Sequence, residues 1–192
     1  MANPSQIEAA RRRYERLLES GNHFTSAPRT HFDERSGGFV VVHQGHQLHA
    51  LDAEMQTARF YARRGVWVRL LDETGPEPVA DAHHGGPHGD GLEWDYKTAR
   101  AGGDPKSKAQ SGISSGKKPS GNVVIRFEDE NVDVSRINRG VNAALQFDQK
   151  REQPFVRNIV VLFEREQEYL EERRTPEEFL DGRFFQGYKT YN

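Results

Sequence analysis

The sequence predicts an α/β protein (α/β in the wider, α+β sense) built as a mixed sheet flanked by helices. Three observations predict it. Helix-period segments alternate with strand-sized apolar runs along the 192 residues. The central strands are separated by turns too short for crossovers, which argues against a doubly wound all-parallel sheet. Helices stand between the remaining strands, and such an order with a hairpin in its middle gives a mixed sheet.

Each element has its own signal. In residues 4–19, Ile7, Ala10, Tyr14, Leu17 and Leu18 recur at helical spacing, and Ser20-Gly21-Asn22 stops the helix. Residues 24–35 are polar, contain Pro28 and read as irregular. Gly37-Gly38 opens a strand over residues 39–43. A helix follows over residues 50–64, with Leu51, Met55, Ala58 and Ala62 on one stripe and Gly65 as its terminator. Glu54 lies on that apolar stripe, where a carboxylate needs a partner. Strands are expected at residues 66–72, 79–82 and 92–98, with the loop HHGGPHGDG as a hairpin connection between the last two. Residues 99–120 are rich in Gly, Ser and Lys and helical around 105–113. A strand at 123–128, a helix at 135–150 and a buried strand at 158–164 come next. Residues 165–181 read as charged and helical, with Thr175 capping and Pro176 in the first turn. The expected organisation is an N-terminal helix and linker over residues 1–37 and one core over residues 38–192.

Composition narrows the function. Hydrophobic residues make up 34% and charged residues 29%, with a formal net charge of -2. That balance excludes a uniformly basic coat for nucleic acid. The total hides a split, however. Residues 97–118 carry six Lys and Arg against one Asp, and residues 164–181 carry eight acidic against three basic residues. No apolar run is long enough to span a membrane, and the N-terminus lacks the apolar stretch of a secretory signal. The absence of cysteine excludes disulfides, thiolate metal sites and cysteine catalysis. Walker, dinucleotide and nucleophile-elbow motifs are absent.

The chemistry concentrates in Glu93-Trp94-Asp95-Tyr96-Lys97. Alternation along a strand puts Glu93, Asp95 and Lys97 on one face, and Trp94 and Tyr96 on the other. Asp81 precedes this strand across a hairpin, and Glu54 on the preceding helix adds a further carboxylate. Hard oxygen ligands with one lysine suit Mg²⁺ and phosphate chemistry. Asp90 is the alternative first carboxylate, though it reads as a turn residue. The plain structural reading is a solvated strand face whose lysine guards a sheet edge. His43, His46 and His49, and likewise His83, His84 and His88, form histidine groups. Their spacing suits polar loops better than a metal site, with RNA contact or acid catalysis open to His43 or His46.

The arrangement Asp81…Asp95-Tyr96-Lys97, after a helix carrying Glu54, resembles the PD-(D/E)xK nuclease core of the restriction-endonuclease-like fold. More narrowly, residues 38–163 resemble the C-terminal tRNase toxin domains of CdiA-type contact-dependent growth inhibition proteins. The segments AEMQTARFYARRG, VWVRLLDE, PVADA, DGLEWDYKT, NVVIRF and RNIVVLF carry the resemblance. Ala80 stands where that motif usually has proline. The resemblance implies Glu54, Asp81, Asp95 and Lys97 as catalytic residues, the three carboxylates holding Mg²⁺ or Mn²⁺. It implies an RNA substrate, tRNA before DNA, a cognate immunity protein as partner, and delivery into the cytoplasm of a target cell. Lys106, Lys108, Gln110 and Lys117 in the basic segment are the candidate nucleic-acid contacts, since phosphates are held mainly by Lys and Arg. The other readings are a DNase of restriction or repair type and a non-catalytic binding module on the same fold.

Overall fold

The computed structural model describes residues 2–115, 120–165 and 168–187. Its tertiary contacts divide the chain into two units, Met1–Trp94 and Asp95–Asn192.

In the first unit, Asn3 starts helix α1 (Pro4–Glu19) with a capping box. Its side chain accepts from the Gln6 amide at 2.9 Å, and the Gln6 side-chain oxygen accepts in return from the Asn3 amide at 2.9 Å. Strand β1 (Thr30–Phe32) pairs antiparallel with β2 (Phe39–Val42). Helix α2 (Leu51–Ala62) then carries the chain to β3 (Trp67–Leu70), which lies parallel to β2. Strand β4 (Ala82–Gly85) runs antiparallel to β3, and the first residues of β5 (Glu93–Ala99) pair antiparallel with β4 through Ala82↔Trp94 and His83↔Glu93. The expected stripe of Leu51, Met55, Ala58 and Ala62 is buried, and α2 packs on β2 and β3. Gly38 permits that packing, because any side chain there would collide with the Ala62 carbonyl. Helix α1 packs on β2, with the Tyr14 ring 5.5 Å from both Phe32 and Phe39. The N-terminal segment is therefore built into this unit's core.

In the second unit, residues 95–99 of β5 run parallel to β6 (Asn122–Phe127), and β6 runs parallel to β7 (Asn158–Arg165). Helices α3 (Pro105–Ser115) and α4 (Val134–Asp148) are the crossovers that parallel pairing requires. Strand β8 (Glu168–Arg174) returns antiparallel to β7, and the short α5 (Pro176–Leu180) follows behind a Thr175 capping box. One face of this sheet packs against the helices. Val123, Ile125, Phe127, Ile159, Val161 and Phe163 meet Ile137, Val141, Leu145, Phe179 and Phe185 there. Each such side chain contributes about 1.5–3 kcal/mol on burial.

Mixed parallel and antiparallel pairing with flanking helices is the expected fold class. Three local expectations are corrected. Residues 30–32, within the stretch read as irregular, form β1, because the β2 backbone offers ladder partners to His31 and its neighbours. Residues 168–174, read as helical, form β8. Their Glu and Arg content favours helix locally, but pairing with β7 along the run Ile159↔Arg174 to Arg165↔Glu168 overrides that preference. The strand expected at 79–82 instead occupies 82–85, so His83 and His84 lie on a strand and not in a loop.

Candidate active site

Asp95 and Lys97 sit at the start of β5 in the second unit, opposite Val123 and Ile125 of β6. Their spacing of two puts both on one face of the strand. The expected charged face is graded. Glu93 is exposed, the Lys97 side chain is 24% exposed, and Asp95 is wholly buried at 0%. The Lys97 Nζ stands 3.9 Å from Asp95 Oδ1, and the Ser120 hydroxyl donates to Asp95 Oδ2 at 3.0 Å. Ser120, itself buried, accepts from the Asn122 amide at 3.1 Å, which fixes it at the head of β6. A buried carboxylate is thus held by a hydroxyl and accompanied by an ammonium, as desolvation of a charge demands.

Glu54 lies on the buried side of α2 in the first unit, and its partner is His46. The imidazole Nε2 is 2.6 Å from Glu54 Oε2. On the other side of the ring, Nδ1 is 2.9 Å from the Leu71 carbonyl and 3.3 Å from Glu73 Oε2. Both ring nitrogens face acceptors, a set that only the doubly protonated ring satisfies. Burial opposes that charge, but the hydrogen bond and charge of Glu54, helped by the Leu71 carbonyl and Glu73, outweigh it and raise the His46 pKa.

Asp81 is buried in the first unit immediately before β4, and its backbone carbonyl accepts from the Leu71 amide at 3.0 Å. Asp90 behaves as a turn residue: its Oδ1 accepts from the Leu92 amide at 3.0 Å and from the Trp94 indole at 3.3 Å. The structure therefore brings Asp95 and Lys97 together in one unit, while Glu54 and Asp81 belong to the other. The histidines do not gather into trios. His43 lies 3.7 Å from Asp72, and His84 is buried against Tyr61, ring centroids 4.3 Å apart. Among the described residues no group of three or more His, Asp or Glu is arranged to hold a metal ion. Mg²⁺, which keeps most of its waters, asks protein for one or two carboxylates only, and the buried Asp95 is a donor of that kind.

Of the candidate phosphate contacts, Lys106 and Gln110 are exposed on α3. The Lys108 ammonium instead donates to the Arg100 and Gly102 carbonyls, tying down the β5–α3 loop. Lys117 lies outside the described residues. Sequence reasoning missed the supporting partners Ser120 and Glu73. It also weighed His46 for RNA contact or acid catalysis and not as the counter-charge of Glu54. The signal for the latter was present, since a carboxylate on an apolar stripe requires a cation within reach.

Comparison with known proteins gives two findings. Residues 88–164 match the model of the contact-dependent growth inhibition CdiA C-terminal domain, a span that contains β5, α3, β6, α4 and most of β7. Among solved structures, the CdiA-CT/CdiI toxin and immunity complex from Burkholderia pseudomallei is similar at 18% identity and a TM-score of 0.42, over 65% of this chain and 85% of that one. No curated protein matches significantly.

Proposed function

We propose that this chain is a toxin effector domain of contact-dependent growth inhibition that cleaves RNA phosphodiesters, with tRNA as the favoured substrate and Mg²⁺ or Mn²⁺ as cofactor. The observation that carries the reading is the pair of Asp95 and Lys97, 3.9 Å apart on one strand face, inside the segment that matches the CdiA C-terminal domain. In this reading Asp95 would hold the cation, and the resemblance implies Asp81 as a further ligand and Glu54 as the residue that would complete its shell or position a water. When bound, the metal acidifies a water and neutralises charge on the phosphate. Lys97 orients the attacking water and stabilises the charge that builds on the phosphoryl oxygens. The basic residues that follow β5 receive the substrate backbone. A cell that makes such a toxin must also block it, so a cognate immunity protein is the expected partner.

The test is cleavage of purified tRNA, and of duplex DNA in parallel, with Mg²⁺ or with EDTA. Metal-dependent cutting of tRNA that is lost in Asp95→Asn and Lys97→Ala is expected. Cutting of DNA alone moves the assignment to a DNase, and cutting of neither leaves a binding module.

A further inference from the structure

The second unit contains a cleft of about 640 Å³ between the C-terminal half of β5 and helix α3. Its volume lies within the range of small-ligand pockets, about 300–1,000 Å³. Lys97, Arg100 and Lys108 line its walls, Ser111 lies on its α3 side, and Ile125 and Gly112 form an apolar floor. A side chain at position 112 would press on Ile125, with its Cβ 3.0 Å from Ile125 Cδ1, so glycine keeps the floor open. Lys108 gives two of its three ammonium protons to the Arg100 and Gly102 carbonyls, which fixes its charge at the wall and leaves one donor. The acidic group of the lining, Asp104, is already committed. It accepts from Ser107 Oγ at 2.8 Å and from the Lys106 and Ser107 amides at 3.3 and 3.2 Å, and it lies 3.3 Å from Arg136 Nε. The cleft therefore presents the cationic side chains of Lys97, Arg100 and Lys108 above an apolar floor, with a hydroxyl beside it.

We infer that this cleft holds one unpaired nucleotide of a single-stranded RNA segment, its phosphate on Arg100 and Lys97 and its sugar hydroxyls toward Ser111. The inference rests on the nuclease reading and narrows its substrate to unpaired RNA. A duplex keeps its bases stacked and paired inside and offers a cleft of this size only its backbone edge. An unpaired nucleotide can enter whole, and its 2′-hydroxyl gives a serine something to bond.

The test is binding of a fluorescein-labelled RNA octamer to the full chain in EDTA, compared with the same octamer annealed to its complement. Single-stranded RNA is expected to bind about tenfold more tightly than the duplex, and Ser111→Phe, which fills the cleft, to lose about tenfold, each equivalent to about 1.4 kcal/mol. Arg100→Ala is expected to weaken binding and to lower the salt dependence by about one phosphate contact. Unchanged thermal unfolding of both variants shows that the fold is intact. Equal binding of duplex and single strand, no binding of either, or parental binding by both variants overturns the inference. Selective binding without any cleavage refutes the nuclease reading and leaves the cleft. Cleavage with binding indifferent to Arg100 and Ser111 does the reverse.

Discussion

Glu54 and Asp95 are both carboxylates in buried surroundings, yet the protein holds them by different means. Glu54 is bonded at 2.6 Å to an imidazole that also meets Glu73 and the Leu71 carbonyl. Asp95 accepts from the Ser120 hydroxyl and has the Lys97 ammonium 3.9 Å away. The first arrangement closes both ends of a buried ring and is organised for stability. The second leaves the cation at a distance longer than a hydrogen bond, on a half-buried side chain that borders a cleft. An ammonium at the border of a cleft can reach a bound group, which a ring enclosed between acceptors cannot, and this difference makes Asp95 and Lys97 the better candidates for chemistry.

The sharpest way to break the comparison is to neutralise each centre and read activity and stability separately. Asp95→Asn and Lys97→Ala are expected to reduce RNA cleavage by about 10³-fold or more, of the order seen on loss of an electrostatic stabiliser, at temperatures where both variants remain folded. His46→Ala leaves Glu54 buried without its cation and is expected to cost about 3–5 kcal/mol in urea unfolding, the penalty of breaking a buried ion pair. A cleavage loss in His46→Ala that exceeds its unfolding would show that the Glu54 centre also serves catalysis.

The pH response separates the two centres next. The folded pKa of His46 is raised above its ordinary value of 6.5. Its contribution is therefore fully present below pH 6.5 and is lost as pH rises through the raised folded value. Urea midpoints measured across that window should fall with rising pH in the parent chain, and His46→Gln should flatten the fall. The smallest expected effect is that of Ser120→Ala, about 1–3 kcal/mol for the lost hydrogen bond to Asp95, read by the same unfolding measurement.

The sequence carried much of this at the level of period and charge. Alternation in 93–97 identified Asp95 and Lys97 as neighbours on one face, and a four-residue stripe identified the buried side of α2. Glu54 on that stripe announced a partner without naming it. Its identity depended on the turn after β2, which brings His46 back to the helix, and no local pattern encodes that return. The strand β8 was illegible for a related reason. Glu168 to Arg174 has no apolar alternation and favours helix by composition, and only the open side of β7 makes it a strand. The basic segment was visible as charge, but its lysines are not equivalent. Lys108 is spent on loop carbonyls, and Arg100 and Ser111 acquire their place only from the packing of α3 over Ile125.

Gly140 on α4 touches none of these residues, yet it governs them. A side chain there would run into the Lys106 carbonyl of α3 and press on the Ala109 Cβ at 3.0 Å. The two helices thus meet backbone to backbone, and α3 has one rotational phase about its own axis. Ser111 and Gly112 keep their bearings because of a missing methyl group on a different helix. Any residue larger than glycine at position 140 would act as a tuning screw, turning the whole wall of the cleft at once.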